Sequence, residues 1–496
     1  MRCVLGIDIG SSAAKAGLFS PEGTALRMAS RAYATEEPRA GHKEQDPECW
    51  WKAAVECIRE VTANVAADEI AAVAAVGHIS SCTFVDGDGR PLRHAITFQD
   101  LRGASEMGRL YGRFTRAELA ALLDIDLPPA PTWLLPKLLW MERNEPATLA
   151  RTRHLLQAKD FINFRLTGEF ASDASSNRGL VDFRTNRPSE PVFRAFGLAP
   201  ELVPRLIEPA ASMGAVTARA AAETGLRQGL PVMAGWNDLN ACVLGSAVVE
   251  PGQTFNISGT SEHVGTVVSA EQRVPELICA PFLDGKRLFY GVTTCGGGSL
   301  EWYRRTFGTP LEELIERAAQ TPAGCEGLLF LPYLEGERAP IWDAQASGAF
   351  VGLRGRHGQG HFVRAILEGV AYSLRQILEI VERHAATGES VIVSGGPSGI
   401  GLWNQIKSDV LGRPLVRAGS AHAGVLGAAM LAAVGAGMYA TAEEAARGMA
   451  TLAERFAPEA AQRAMYGEMF ARYTKLYPAL RECLEGKKSE SIEAYV

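Results

Sequence analysis

Three short stretches of this sequence combine residue types that handle phosphate and move protons. The first is Asp8-Ile9-Gly10-Ser11-Ser12, with Lys15 close behind. A carboxylate at the end of the apolar run Val4 to Ile9 is costly unless a cation offsets its charge, and Mg2+ is the usual answer. The Gly10-Ser11-Ser12 turn offers backbone N–H groups and hydroxyls to phosphate oxygens, and Lys15 adds a positive charge. A hairpin turn that merely happens to be polar would read the same way. The second stretch, Ile257-Ser258-Gly259-Thr260-Ser261, repeats that chemistry. Two such turns facing one another would clamp a triphosphate between domains. In the third stretch, Asp238 follows Gly235-Trp236-Asn237 and the apolar run Leu230 to Ala234. It therefore stands just past a strand end, where ligand sites of α/β sheets gather. There it can accept a hydroxyl proton as a general base. It can equally cap the helix that runs on through Ala241 to Leu244, and the residues alone leave both roles open.

Weaker signals lie elsewhere. Gly395-Gly396 follows the strand-like Val391 to Val393 and allows close backbone approach to a flat ligand such as adenine. Gly296-Gly297-Gly298 precedes a helix and offers a second such wall, although glycine clusters more often just turn the chain. His78 has no acidic partner in sequence, so a satisfied core or cleft histidine is its default reading.

These residues need elements to hold them. Val4 to Ile9, Ala16 to Phe19 and the Ser20-Pro21-Glu22-Gly23 turn predict an antiparallel opening of three strands. Asp46-Pro47 starts a helix carrying Trp50, Ala54, Cys57, Ile58 and Val61 on one face. Ala71 to Val76 reads as a buried strand ending at Gly77-His78. A strand, a small-residue turn and a strand recur at 254–268, so the two halves look like variations on one unit divided near Glu250-Pro251-Gly252. The expected domains are 1–250 and 251–496. In the second, His361 to Ala385 is an amphipathic helix and Leu402 to Leu411 another, closed by Gly412. Ala423 to Val434 is rich in Ala and Gly, which lets helices approach closely. Strands alternating with helices predict an α/β layered fold.

Bulk properties exclude several classes. At 496 residues the chain is too long for one core. Its 47% hydrophobic and 21% charged residues are ordinary globular composition. The net charge of −6 gives no general attraction to nucleic acid or an anionic membrane. No stretch nears the roughly 18 apolar residues of a membrane span, and the start has no signal-peptide pattern, so a cytoplasmic location is expected. The nine cysteines show no zinc spacing and are expected as buried thiols.

Taken together, these residues resemble the FGGY carbohydrate kinases, over nearly the whole chain. The opening Gly6-Ile7-Asp8-Ile9-Gly10-Ser11-Ser12 is similar to the family's, with Ser11 where Thr is commoner. Phe98-Gln99-Asp100-Leu101-Arg102 is similar to a WQDxR segment, with Phe98 for Trp. Lys159-Asp160-Phe161-Ile162 with Arg165-Leu166-Thr167-Gly168-Glu169 matches a further stretch, and Gly360 to Ala371 resembles the second signature. Ser394-Gly395-Gly396 with Trp403, Gln405, Asp409 and Leu411-Gly412-Arg413-Pro414 is similar to the adenosine-binding end.

The resemblance implies two ribonuclease-H-like domains of the actin/hexokinase/Hsp70 type with an active-site cleft between them. It implies transfer from ATP to a hydroxyl of a small sugar or polyol, with Asp238 as base, and Mg2+ held by Asp8 and Asp238. Gly10, Ser11, Ser12, Lys15, Gly259 and Thr260 would meet phosphates, while Gly297, Gly395 and Gly396 would flank the nucleotide. Gly77-His78-Ile79-Ser80 stands where xylulose kinases have G-Q-M-H and glycerol kinases N-Q-R-E, so neither substrate is a first choice. His78, Gln99, Asp100, Trp236 and Asn237 are the candidates for hydroxyl recognition, because a polar pocket must satisfy each substrate hydroxyl. A homodimer is expected. Two other classes compete: an actin/Hsp70-like module that cycles on ATP, and a sugar-sensing regulator. No basic or helix-turn-helix segment precedes the first strand to support the regulator, and the Gln99-Asp100 segment with Asp238 favours a hydroxylated substrate.

Overall fold

The computed structural model describes residues 2–484. Its contacts divide the described residues into two units, one running to Ala247 and including His422–Ala450, the other comprising Val248–Ala421 and residues 451–484.

In the first unit, β1 (Cys3–Ile9), β2 (Ala13–Phe19) and β3 (Ala25–Ala32) form the antiparallel opening. Helix α1 (Pro47–Thr62) starts where expected: Asp46 accepts from the Glu48 N–H and Pro47 occupies the first turn. Its Trp50, Ala54, Cys57, Ile58 and Val61 face is buried against the sheet. β4 (Ile70–Gly77) then lies parallel to β1, which needs the crossover that α1 supplies. Helix α2 (Ala158–Thr167), β5 (Ser212–Ala215), β6 (Pro231–Met233) and α3 (Asp238–Gly245) complete this part. The sheet order is β5-β6-β4-β1-β2-β3.

The second unit repeats the plan. It contains β7 (Thr254–Ser258), β8 (Glu262–Val268), β9 (Ile278–Pro281), β10 (Arg287–Val292) and α4 (Gly297–Phe307). The long α5 (Gln359–His384), β11 (Val391–Ser394), α6 (Gly401–Leu411) and β12 (Leu415–Ala418) follow. The chain next contributes α7 (Ala423–Gly435) and α8 (Ala442–Met449) to the first unit, then returns with β13 (Leu452–Phe456). The order here is β9-β10-β8-β7-β11-β12-β13. Reading outward from β3 or from β10, both sheets pair antiparallel, antiparallel, parallel, parallel, antiparallel. The two halves are one topology used twice.

The division differs from two consecutive stretches, 1–250 and 251–496. Helix α7 has no polar face, so every side of it must be buried. It packs on β1, β4 and α3, all of the first unit. Small residues permit this, since a Cβ on Gly6 would stand 2.2 Å from the Val425 carbonyl oxygen. All nine cysteines are free thiols, but Cys49 and Cys483 are exposed, which departs from a wholly buried set. Among the described residues, no helix is long and apolar enough to cross a membrane.

Candidate active site

In the first unit, the parallel strands β1, β4 and β6 end along one edge of the sheet. Ile9 pairs with Gly77, and Gly77 bridges to Asn237 beyond β6. The His78 N–H donates to the Ile9 carbonyl at 3.1 Å. Gly235 turns the chain with φ +72°, and a Cβ there would lie 1.6 Å from the Ala75 carbonyl oxygen. Only glycine allows that approach, and it brings the start of α3 to the strand ends. Asp8, His78 and Asp238 are thus delivered by three neighbouring strands to the place where α/β sheets bind ligands.

The choice between base and cap at Asp238 is resolved one residue earlier. Asn237 is the N-cap, its side-chain oxygen accepting from the Asn240 N–H at 2.9 Å. Asp238 is the first helical residue, and its Oδ1 accepts from the Leu239 N–H at 2.8 Å. Burial first and the Asp8 charge second push its carboxyl up to about 7, against the opposing pull of that N–H and of Arg178. Burial also raises Asp8, with Lys15 opposing; the two residues face each other in the β1–β2 register. A carboxylate that gains and loses its proton near neutrality suits general-base work.

Asp8 Oδ1 is buried without a hydrogen-bond partner. An orphaned carboxylate oxygen beside a second carboxylate fits Mg2+, which binds one or two carboxylates and fills its remaining positions with water and substrate phosphates. A Cβ on Gly424 would stand 3.0 Å from Asp8 Oδ2, so α7 closes the opposite side of this group.

The turn after β1 is tied from behind. The Tyr33 hydroxyl donates to the Gly10 carbonyl, Gln45 Nε2 to the Ser11 carbonyl at 2.8 Å, and the Tyr33 N–H to the Ser12 carbonyl at 3.0 Å. Neither the Ser11 nor the Ser12 hydroxyl bonds to a described residue, so both are available to a ligand.

The residues expected to recognise hydroxyls divide. His78 is buried between the Trp50 and Phe98 rings, with Nδ1 2.6 Å from Ser81 Oγ and Nε2 without a partner. Burial, then Lys137, lowers it to about 4, so it is neutral. Gln99 is exposed. Asp100 departs from expectation. Its two oxygens accept from the Arg102 backbone and guanidinium and from the Lys43 N–H, which leaves no lone pair for a ligand. Trp236 and Asn237 depart too, because the indole N–H donates to Ser175 Oγ at 2.7 Å and the Asn237 amide to the same oxygen at 2.8 Å.

Ser175 belongs to a buried network of which the matched stretch at Lys159-Asp160 is one part, Asp173 and Ser175 themselves lying outside any motif. Lys159 Nζ meets Asp160 at 2.5 Å, Asp173 at 3.1 Å and the Ala234 carbonyl at 3.2 Å, and Ser175 donates to Asp173 at 2.5 Å. The Lys-Asp stretch therefore braces the segment that ends in Asp238.

In the second unit, the turn after β7 sits against two others. The N–H groups of Gly296, Gly297 and Gly298 donate to the Thr260, Gly259 and Thr260 carbonyls at 2.7, 2.9 and 3.0 Å. Gly395, at φ +93°, would place a Cβ 1.9 Å from the Ser258 carbonyl oxygen. A Cβ on Gly297 would stand 3.0 Å from Pro397. The glycines at 259, 297 and 395 therefore converge, with Gly396 open beside them and Thr260 exposed. Beneath, Lys407 Nζ reaches Glu262 at 2.8 Å, Ser258 Oγ at 2.6 Å and Asn256 at 3.1 Å, all buried. Nothing in the sequence pairs Lys407 with Glu262, 145 residues apart.

Residues 3–245 match the profile of the FGGY family of carbohydrate kinases, N-terminal domain, and residues 254–436 that of its C-terminal domain. The chain is 31% identical to a xylulose kinase of Bacillus subtilis, covering 99% of each. Its fold is similar to a ligand-bound xylulose kinase from Lactobacillus acidophilus, with TM-score 0.87 at 24% identity over 97% of this chain and 99% of that one. A gluconate kinase from the same organism superposes with TM-score 0.86 at 24% identity, over 97% and 98%.

Proposed function

The chain belongs to the FGGY family of carbohydrate kinases and is an ATP-dependent kinase of a sugar or polyol; on that footing we propose that its acceptor is a pentulose and that Asp238 takes the hydroxyl proton. The observation that carries the base assignment is Asp238 itself, released from capping by Asn237 and raised to about 7 beside Asp8. As the acceptor hydroxyl attacks the γ-phosphate, its proton passes to the Asp238 carboxylate, and the bond to the departing ADP breaks. Asp8, with Asp238 beside it, would hold Mg2+, which supplies charge neutralisation on the phosphates. Ser11, Ser12 and Lys15 offer donors and charge to phosphate oxygens. Gly259, Thr260, Gly297, Gly395 and Gly396 line the nucleotide, the glycines allowing its flat base to lie against backbone.

The pentulose assignment draws on the relatives named xylulose kinase, and His78 is the acceptor contact within this chain. A neutral imidazole with an unpartnered nitrogen suits an uncharged hydroxylated ligand. ADP release is to be measured with xylulose, ribulose, gluconate, glycerol and erythritol. Turnover is expected to be fastest with a pentulose; no acceptor raising ADP release above the level without sugar would sink the reading. Cytoplasmic residence and a homodimer belong to the same proposal, and sedimentation at twice the monomer mass is the expected result for the latter.

A further inference from the structure

Lys137 lies in the helix Leu134–Asn144 of the first unit, and its side chain is wholly buried. Its Nζ donates to the Ser80 carbonyl at 2.8 Å and to the Thr97 carbonyl at 2.7 Å. Among the described residues no carboxylate lies within ion-pair distance of it. Burying an ammonium without a counter-charge costs several kcal/mol. An apolar side chain would fill the volume without that penalty. What the charge adds is a grip on two carbonyls from two separate segments.

Those segments are 77–81, which carries His78, and 95–99, which carries Gln99. Ser80 sits at φ +62°, in the left-handed region that costs a non-glycine residue about 1 kcal/mol. Such backbone persists only where its surroundings over-determine it. The Lys137 bond to the Ser80 carbonyl does so with a charge-assisted donor, about twice as strong as a neutral one. A second tie joins the same segments, since Ser81 Oγ accepts from the Phe98 N–H at 3.1 Å while meeting His78 Nδ1. Ser80 Oγ and His78 Nε2 are both buried and unpartnered.

We propose that Lys137 is a positioning residue for acceptor binding: its ammonium locks 77–81 to 95–99 and thereby fixes the direction of His78 Nε2. This rests on the reading above that these segments recognise the acceptor. The groups facing Lys137 are Cys82, His78, Asp100 and Arg102. Burial pushes Cys82 up to about 11 and His78 down to about 4, and Asp100 and Arg102 pair with each other. Burial lowers Lys137 to about 8, so it is the member of this cluster that changes charge in mildly alkaline solution. Its neutral amine still donates, but without charge assistance.

The test is steady-state kinetics with xylulose and ATP as varied substrates across mildly acidic to alkaline pH. In the native enzyme the xylulose KM is expected to rise on the alkaline side, severalfold by about 1.5 pH units above the Lys137 midpoint, while the ATP KM stays within twofold. Lys137→Met is expected to raise the xylulose KM at least about tenfold at neutral pH and to abolish its alkaline rise. Lys137→Gln, which keeps donors without charge, should fall between. His78→Leu is the control on the underlying reading, since an unchanged xylulose KM there removes the acceptor site from these segments. If His78→Leu raises KM but Lys137→Met does not, the positioning role is overturned. Should Lys137→Met fail to fold, a xylulose KM flat with pH in the native enzyme overturns it equally.

Discussion

The turn after β1 and the turn after β7 occupy equivalent places in two copies of one topology, yet their charges are handled in opposite ways. Aligned from the glycine, Gly10 matches Gly259, Ser11 matches Thr260, and Asp8 matches Ile257. The first unit leaves a buried carboxylate at the strand end with Oδ1 lacking any hydrogen-bond partner and only the Lys15 charge opposing it. The second puts an isoleucine there and moves its acid to Glu262, where Lys407, Ser258 and Asn256 satisfy it. Unsatisfied charge suits the metal-holding and proton-accepting roles proposed for the first turn. Keeping a fixed shape, the role proposed for the second turn, is better served by pairing every polar group.

That contrast can be broken at several points. The largest effect is expected at Asp238→Asn: kcat lower by about a thousandfold with ATP affinity retained, read by initial rates and nucleotide binding. Native kcat should also fall as pH drops through about 7, because the base must be ionised and burial with Asp8 has raised it to that value. The stability sign is the reverse. A carboxyl raised in the fold disfavours its charged form, so Asp238→Asn should raise Tm above pH 7 and do so little near pH 4. Loss of activity without this pH signature would refute the base assignment.

Next comes Lys407→Met in α6, beneath the second turn. It leaves Glu262 buried without its counter-charge, held only by the Ser258 and Asn256 hydrogen bonds, and about 3–5 kcal/mol of stability should be lost, read as a lower melting temperature with a raised ATP KM. Asp8→Asn should instead cost roughly a hundredfold in kcat, show a weakened response to Mg2+ titration and leave Tm equal or higher, because an unpaired charge is removed. If Asp8→Asn destabilised the protein as Lys407→Met does, the two turns would not differ as described. Smallest is Ser12→Ala, which removes one unpartnered hydroxyl and should raise the ATP KM about fivefold, with no change in melting.

Much of this was legible in the residues. Asp46-Pro47, the two strand-turn-strand runs and the strand at 70–77 are local patterns, and local patterns determined them. What escaped were interactions set by burial between distant segments. Asp100 reads as a ligand until Arg102 and Lys43 are seen around it. Trp236 and Asn237 read as pocket residues until Ser175, some 60 positions earlier, takes both their donors. Lys137 and Lys407 carry no signal in sequence, and Lys159 only that of a matching stretch, yet each is buried. The Ala- and Gly-rich α7 did signal close packing, although no periodicity names the sheet that receives it.

That helix has a consequence for biosynthesis. The sheet edge bearing Asp8 and Asp238 is complete by residue 245, but the segment that covers β1 and β4 emerges from the ribosome only after about 190 further residues have been joined. During that interval an apolar face, Gly6 included, stands without its cover. A fragment ending near residue 247 should therefore be sticky rather than folded, and addition of residues 422–450 in trans should restore its solubility. Vectorial synthesis makes the first half of the chain wait for the second, so the sheet edge that bears Asp8 and Asp238 matures last.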